Sequence, residues 1–476
     1  AAINFAAQSE DGLTALALNI LRQFPFETVY LDIDQIFQVT DEINSIFQLS
    51  NTVFEGLDQQ AQQETAQINP TDFNQLPDLR QMGSYPWQKT TITFTNPNRP
   101  EAVPADLYRP LNVSNAPVIV ISHGVASNRD TFAYLAQHLA SWGFVVAIPL
   151  HPATSSDRFA RFISGFDTPP DPEVLINRPL DIRALLDALE NLATTDPQWQ
   201  NVMNLDQVGT IGQSLGGYTV LAVAGATLNF DNLRQYCVDI EEKLTFNLSL
   251  LLQCQALDVN NPSTTLRDPR VKAAIALNPF ASEIFGESGM ESISIPVMMV
   301  GGTSDFVTPA LSEQITPFSW LDNPEKYLVL LENGTHFSFL PSEGENVLPI
   351  PPGWLSENSE QAHPIIQGFA VAFMQTYLPP NVALPSQAYL NDAYAQFLST
   401  KDLSLTLVRS LSVISHQLSV ISFLGSGQLF QLSASKGQSA IGNRQSGGVG
   451  MQAPPKESET SCYRADSIKK LKARRL

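Results

Sequence analysis

Cysteine is scarce in this sequence, with three residues among 476. This number excludes a disulfide-dense scaffold but leaves room for one bridge. No run of 18 or more apolar residues occurs, so we expect no membrane-spanning helix. Basic residues are also few. The 27 Lys and Arg stand against 47 Asp and Glu, and the net charge of −20 argues against nucleic acid as the main partner.

Apolar residues, in contrast, are abundant. They make up 43% of the chain and charged residues only 16%, which is enough for a large core and argues against disorder as the main state. The length allows about three domains, or one large α/β core with insertions. The sequence opens with Ala1, and no basic stretch followed by an apolar one stands at its start. We therefore expect the chain to begin after processing or inside a longer protein.

The last part of the chain differs from the rest in charge. Residues 401–476 contain eleven Lys and Arg against four Asp and Glu, whereas residues 1–400 are strongly acidic. The segment Leu411–Ser415 returns as Leu418–Ser422, and a Gly-, Ser- and Gln-rich stretch follows. This composition predicts that residues 401–476 form a poorly ordered tail. The alternative is a basic targeting or binding tail.

Residues 1–75 are predicted to form a helical N-terminal segment. Apolar residues recur at helical spacing within Leu13–Leu21 and Leu31–Phe37, and Pro70, Pro77 and Gly83 then interrupt the pattern. We interpret this segment as a helical appendage packed on the main domain, because none of its residues suggests chemistry.

Strands and helices alternate through the main domain, residues 76–400. Such alternation predicts an α/β fold, with a mostly parallel sheet covered by helices on both faces. Lys89–Asn96 and Ala105–Tyr108 are expected to pair as antiparallel strands. The other predicted strands are Pro117–Ser122, Phe144–Ile148, Val208–Ile211, Val271–Leu277, Val297–Val300 and Tyr327–Leu331.

One pentapeptide carries the strongest chemical signal. Gly212–Gly216 has the pattern G-x-S-x-G, follows an apolar strand directly and opens an apolar helix. In such a turn the central serine is exposed, and side chains in place of the glycines would clash with the neighbouring strand and helix. Ser214 is therefore the predicted nucleophile. The alternative is an ordinary helix N-cap.

A serine nucleophile needs a base, and the base needs an orienting carboxylate. Hydrolases with such a turn have the order Ser, Asp or Glu, then His. Asp305 and His336 fit this order, and each follows a strand directly, where open α/β sheets place their sites. Asp322 is the rival acid, but it lies in a loop without a preceding strand. The histidines that fit the role of base less well are His138, His151, His363 and His416.

The oxyanion of an acyl-transfer intermediate needs two backbone N–H donors. One is expected from Leu215, the residue after the nucleophile, and the other from the loop after the strand that ends at Ser122. Val125 is the predicted second donor. His123 is expected to hold this loop by a hydrogen bond rather than to act as an acid or base.

These segments resemble the α/β-hydrolase superfamily. Ile121–Val125, the turn Gly212–Gly217 and Gly334–His336 are most similar to platelet-activating-factor acetylhydrolase-like and dienelactone-hydrolase-like esterases. Leu13–Phe37 is similar to secreted bacterial hydrolases with a helical N-terminal domain of unknown function. The resemblance covers about residues 85–380. It implies an α/β-hydrolase fold and carboxylic-ester hydrolysis through an acyl-enzyme, with no metal and no cofactor.

The sequence departs from this pattern at one place. In animal platelet-activating-factor acetylhydrolases the acid follows the strand before the one used here. That place has the sequence Leu277–Phe280, which contains no carboxylate, and Asp305 matches the more usual superfamily position. The shift bears on the acetylhydrolase substrate and not on the triad.

An insert at residues 228–270 separates the nucleophile helix from the next strand. It is apolar and amphipathic, and we interpret it as a lid that shapes the acyl pocket, the alternative being packing filler. Cys237 and Cys254 lie inside it. They could form a bridge that contributes ~3 kcal/mol and implies an oxidising compartment, or remain two buried thiols.

The predicted function is that of a serine esterase or lipase-like hydrolase acting on short or medium acyl esters, phospholipid-derived ones included. Its partner would be a small-molecule or lipid ester, with peripheral lipid contact. Peptidase or thioesterase activity at the same triad and a catalytically idle binding module are the alternatives. A dehalogenase is disfavoured because its nucleophile would be Asp. The acidic body, a Cys237–Cys254 bridge and the resemblance favour a periplasmic or extracellular location.

Overall fold

The computed structural model describes residues 33–97, 99, 101–238, 247–260, 266–341, 359–380 and 386–411. In these residues the fold is built around one mixed sheet of nine strands. The strands are β1 (Trp87–Thr95), β2 (Ala102–Pro110), β3 (Ala116–Ser122), β4 (Val145–Pro149), β5 (Met203–Gln213), β6 (Val271–Leu277), β7 (Val297–Gly302), β8 (Lys326–Leu331) and β9 (Leu405–Val408). Their order across the sheet is β1-β2-β4-β3-β5-β6-β7-β8-β9. The neighbours from β4 to β8 are parallel, and β1, β2 and β9 are antiparallel to the strands beside them.

Helices cover both faces of this sheet. They are α1 (Ile33–Thr65), α2 (Ala133–Ser141), α3 (Ser156–Ile163), α4 (Val174–Thr195), α5 (Leu215–Ala224), α6 (Phe230–Tyr236), α7 (Ser249–Cys254), α8 (Ser282–Glu291), α9 (Thr316–Ser319), α10 (Ser359–Tyr377) and α11 (Asp392–Leu398). A single π-helical turn, Leu311–Ile315, precedes α9. The predicted α/β-hydrolase fold and the antiparallel pairing of the first two strands are confirmed.

The alternation of side chains along β3 shows how the two faces are filled. All seven residues of β3 are buried. Val118 and Val120 belong to the core cluster that contains α4 and α5, whereas Ile119 and Ile121 belong to the cluster that contains α2 and α10. Successive side chains of a strand point to opposite faces, so a continuous apolar run is what a strand covered on both faces requires.

The last strand lies inside the segment that the sequence assigned to the tail. β9 pairs with β8, with Leu331 opposite Leu405 and Leu328 opposite Val408. The predicted start of the tail at residue 401 is therefore too early. The repeat beyond Leu411 and the basic end of the chain lie outside the described residues.

Helix α1 packs beside β9. Val53 and Leu57 are fully buried, and the Gln60 side-chain amide donates to the Ser410 carbonyl oxygen at 2.9 Å. Residues 1–32 lie outside the described part of the chain. Among the described residues, no helix is both long and apolar enough to cross a membrane.

Replacement of Asp392 by Asn is expected to change how stability depends on pH. The Asp392 carboxylate accepts the Leu407 N–H at 2.9 Å, and burial together with the nearby Asp58 and Glu64 raises its pKa to about 6. Because the folded-state pKa exceeds the unfolded one, the wild type loses stability as pH rises through this interval. Relative to the wild type, Asp392→Asn should gain about 2 kcal/mol between pH 4 and pH 7.5, measured by urea unfolding. The exposed Asp402→Asn should show no such gain, and equal pH slopes for all three proteins would contradict the expectation.

Candidate active site

Ser214 occupies a sharp turn between β5 and α5. Its backbone has φ 57° and ψ −121°, a region that a residue with a side chain rarely adopts. Its N–H donates to the Leu277 carbonyl oxygen at 2.9 Å, which ties the turn to β6. A Cβ atom on Gly212 would overlap the Gly216 backbone, and one on Gly216 would overlap the Ser122 carbonyl. Both glycines are therefore required by close backbone approach, as the sequence predicted.

The structure brings His336 and Asp305 to this serine. His336 Nε2 lies 2.9 Å from Ser214 Oγ, and His336 Nδ1 lies 2.8 Å from Asp305 Oδ2. All three residues are buried. Ser214 follows β5, Asp305 follows β7 and His336 follows β8, so the three meet at the carboxyl edge of the parallel strands. This arrangement can remove a proton from the serine hydroxyl and stabilise the imidazolium that forms.

The two oxygens of Asp305 serve different partners. Oδ1 accepts the N–H groups of Val307 and Thr308, both at 2.8 Å, as an N-capping residue does. Oδ2 faces His336. Asp305 can therefore act as a cap and as the triad acid at once, because the capping bonds fix the carboxylate while the other oxygen holds the histidine.

Asn278 and Thr308 also contact the Asp305 carboxylate, although the residue pattern did not predict them as site residues. The Asn278 side-chain amide donates to Asp305 Oδ2 at 2.7 Å, and the Thr308 hydroxyl lies 2.8 Å from the same oxygen. Thr308 Oγ1 is also 3.2 Å from His336 Nδ1. Asn278 stands at the end of β6, where the animal acetylhydrolases carry their acid. The sequence signal for Thr308 is the Asp-x-x-Thr spacing of a capped turn.

The loop after β3 runs directly against the nucleophile. A Cβ atom on Gly124 would lie 3.3 Å from the Ser214 Cβ, so the glycine permits this approach. The half-buried Val125 follows it, and Leu215 is the first residue of α5. The Gln213 side-chain amide donates to the His336 carbonyl oxygen at 3.0 Å, linking the turn to the histidine loop. Gln213 is a further contact that the pentapeptide pattern does not predict.

The rival candidates occupy other places. Asp322 is exposed in the loop before β8. His138 Nε2 bonds the Leu79 carbonyl, and His363 stacks on Tyr134 at 3.9 Å between ring centroids. His151 lies in a separate buried cluster, and His416 is outside the described residues.

Cys237 and Cys254 are joined by a disulfide within the insert. The insert is also held to the segment after Asp305. Ser249 N–H donates to the Val307 carbonyl at 3.0 Å, and the buried Glu313 accepts from the side chains of Gln253 and Asn247. The described part of the insert is thus fixed beside the Asp305 loop.

Residues 59–172 match the family model described as platelet-activating factor acetylhydrolase, isoform II. The matched segment includes β1 to β4 and the loop His123–Val125, and it ends before Ser214. No curated protein matches the chain. The match confirms the predicted resemblance to platelet-activating-factor acetylhydrolase-like proteins, and that family implies hydrolysis of phospholipid-like esters.

Proposed function

We propose that this chain belongs to the platelet-activating factor acetylhydrolase and α/β-hydrolase-like family and cleaves carboxylic esters through a covalent acyl-enzyme on Ser214. Short to medium acyl esters, phospholipid-derived ones included, are its substrates. The observation that carries the proposal is the continuous contact from Ser214 Oγ through His336 to Asp305, at 2.9 and 2.8 Å.

The proposed reaction has two halves. Ser214 Oγ attacks the ester carbonyl carbon while His336 Nε2 takes the hydroxyl proton, and Asp305 stabilises the imidazolium. When the tetrahedral intermediate collapses, the carbon–oxygen bond to the alcohol breaks and His336 protonates the departing oxygen. In the second half, water gives a proton to His336 and attacks the acyl carbon, and Ser214 leaves with that proton. The products are a carboxylic acid, an alcohol and the restored enzyme.

The backbone N–H groups of Val125 and Leu215 are proposed to stabilise the oxyanion in both halves. Leu215 begins α5, whose N-terminal N–H groups and dipole favour negative charge. The proximity of Gly124 to Ser214 supports the contribution from Val125, the next residue.

Hydrolysis of p-nitrophenyl esters from acetyl to palmitoyl, with fluorophosphonate labelling of Ser214, tests this proposal. We expect turnover that is greatest at short or medium chain length, and a label that mass spectrometry locates on Ser214. Labelling of Ser214 without ester turnover would favour a thioesterase or peptidase, to be assayed with acyl thioesters and peptides. Neither turnover nor labelling would favour a binding module and overturn the proposal.

Exposed apolar side chains on α3 and its following turn, and on the insert, support peripheral lipid contact, which we include in the proposal. Helix α3 begins beside the loop after β3, here called the oxyanion loop (residues 123–127), since Ser156 N–H donates to the Ser127 carbonyl at 3.0 Å. It ends at Ile163, which is 53% exposed, and the nearby Phe166 is 78% exposed. In the insert, Leu248 and Leu251 are also exposed. These side chains would rest in a neutral or zwitterionic lipid surface, because the net charge of −20 opposes an anionic one.

The double variant Ile163→Ser/Phe166→Ser is expected to lose about tenfold in hydrolysis of a short-chain ester presented in phosphatidylcholine vesicles, because less apolar surface is buried on binding. Hydrolysis of monomeric p-nitrophenyl butyrate should stay within twofold of the wild type. Ile68→Ser/Met82→Ser removes exposed apolar side chains elsewhere and serves as the matched control. Equal losses in the two double variants would contradict lipid contact at this surface.

We also propose that the protein works in an oxidising compartment, the periplasm or the extracellular space. The support is the Cys237–Cys254 disulfide, since such bridges persist mainly outside the reducing cytosol. Thiol labelling after rapid acid quenching of the native host cells would contradict this location if both cysteines reacted as free thiols.

A further inference from the structure

A second Ser–His–Asp set lies beneath the oxyanion loop. Ser122 Oγ is 3.0 Å from His151 Nε2, and His151 Nδ1 is 2.9 Å from Asp181 Oδ2. These distances resemble those of the triad formed by Ser214, His336 and Asp305, of which Ser214 is 8% exposed, but Ser122, His151 and Asp181 are at most 1% exposed. Ser122 is also the last residue of the regular strand β3 rather than the centre of a strained turn. No substrate can reach this serine, so the set has a role other than nucleophilic attack.

The donors and acceptors of this set can be assigned from Arg178. Arg178 is 2% exposed and has only donors, so Ser122 Oγ accepts from it at 3.2 Å. The Ser122 hydroxyl is then free to donate to His151 Nε2, and His151 Nδ1–H donates to Asp181. Burial and the Arg178 charge hold the pKa of His151 well below its ordinary value, in agreement with a neutral ring.

His123 is hydrogen-bonded to the backbone of His151 and so joins this cluster. The His151 backbone N–H donates to His123 Nε2 at 3.1 Å, which makes Nε2 an acceptor. A neutral ring then carries its proton on Nδ1, which lies 2.8 Å from the Gly124 carbonyl oxygen and donates to it. Burial, with the Arg178 charge, lowers the pKa of His123 to about 3, so the ring is neutral at physiological pH. Arg178 also donates to the His123 carbonyl oxygen.

These bonds act on the peptide unit that contains the proposed oxyanion donor. The Gly124 carbonyl and the Val125 N–H belong to one planar peptide, and in a trans peptide they point in opposite directions. A donor that fixes the carbonyl therefore fixes the direction of the N–H. Arg178 fixes the preceding peptide in the same way, through the His123 carbonyl.

We infer that His123 is a positioning residue that fixes the Gly124–Val125 peptide plane and so aims the Val125 N–H at the oxyanion. Arg178, Ser122, His151 and Asp181 form the buried support that sets the His123 ring. The inference rests on the proposed function, because it assigns a role only if Ser214 passes through a tetrahedral intermediate.

Two substitutions at one position separate the two nitrogens of His123. In His123→Asn the side-chain amide can occupy the place of Nδ1 and donate to the Gly124 carbonyl. In His123→Gln the amide reaches the place of Nε2 and can accept from His151, but it leaves the Gly124 carbonyl without its donor. Loss of one oxyanion donor lowers kcat by about 10²–10³-fold. We expect a loss of this size in His123→Gln, with KM within about threefold of the wild type, and a loss below tenfold in His123→Asn.

The inhibition constant of a trifluoromethyl ketone distinguishes loss of an oxyanion donor from a general structural effect of the substitution. The ketone forms a tetrahedral adduct with the serine, so its inhibition constant should rise in His123→Gln by the same factor as kcat/KM falls. His138→Gln is the matched control, because His138 is a buried histidine that bonds a backbone carbonyl elsewhere; its kcat and inhibition constant should stay within threefold of the wild type. Equal kcat in His123→Asn and His123→Gln, or a fall in kcat without a change in inhibitor affinity, would overturn the inference. A wild type that neither turns over esters nor labels at Ser214 would instead overturn the proposed function, and the inference with it.

Discussion

Ser214→Ala is expected to lower kcat/KM for the preferred p-nitrophenyl ester by about 10⁴–10⁶-fold, because it removes the hydroxyl that contacts His336 Nε2 and would form the acyl-enzyme. The residual rate would come from substrate binding and the oxyanion donors alone. KM should change little, since the hydroxyl contributes mainly to the transition state. Steady-state kinetics, with active-site titration of the wild type to correct for inactive protein, measure this loss.

Fluorophosphonate labelling should vanish in the same variant. Ser292→Ala removes an exposed serine hydroxyl at the end of α8, away from the site, and should retain full activity and full labelling. Urea unfolding of Ser214→Ala should show a protein at least as stable as the wild type, because alanine bears a smaller side chain at the same strained backbone angles. Retention of more than a tenth of the wild-type rate would contradict Ser214 as the nucleophile.

The sequence predicts the parallel part of the sheet well because those strands are buried on both faces. Six of the seven residues of β3, from Ala116 to Ile121, are apolar, and a strand with one face in solvent rarely has so continuous an apolar run. The turn at Ser214 is equally well predicted, since Gly212 and Gly216 are both forced by close backbone contact. In these cases a local steric requirement restricts which residue types can occupy the position.

β9 could not be predicted in the same way. Its four residues, Leu405–Val408, form a strand because β8 offers an open edge and because Val53 and Leu57 of α1 cover that part of the sheet. Those partners are far away in the chain. Local composition instead groups the strand with the basic, repetitive residues that follow it.

The residues that orient the site were also beyond sequence reasoning. Arg178 and Asp181 lie in α4 among apolar positions, where a charge is ordinarily assigned to the solvent face of a helix. Both are buried, because Arg178 donates to the His123 carbonyl oxygen and Asp181 accepts from His151. The two histidines lie in different loops. Such partnerships depend on tertiary contacts, so periodicity along one helix carries no sign of them.

Asp305→Asn is expected to lower kcat by about 10⁴-fold. The carbonyl oxygen of the new amide can still accept the N–H groups of Val307 and Thr308, which places its NH₂ toward His336 Nδ1. A donor at that place requires Nδ1 to be an acceptor, so the proton moves to Nε2 and the ring can no longer accept the Ser214 proton. The Asn278 amide, 2.7 Å from Asp305 Oδ2, would also meet a second donor.

Asp322→Asn is the matched control for this change, because it replaces the rival carboxylate in the loop before β8 with the same amide. Its kcat should stay within twofold of the wild type, whereas Asp305→Asn should lose kcat and fluorophosphonate labelling rate together. Ester turnover and fluorophosphonate labelling both require proton removal from Ser214. A normal labelling rate with a low kcat would therefore place the defect in deacylation and contradict the predicted shift of the His336 proton to Nε2. The reverse result, a large loss in Asp322→Asn and none in Asp305→Asn, would assign the acid to Asp322. The 2.8 Å contact between Asp305 Oδ2 and His336 Nδ1 favours a large loss in Asp305→Asn over one in Asp322→Asn. A carboxylate can orient an imidazole only from within hydrogen-bond distance.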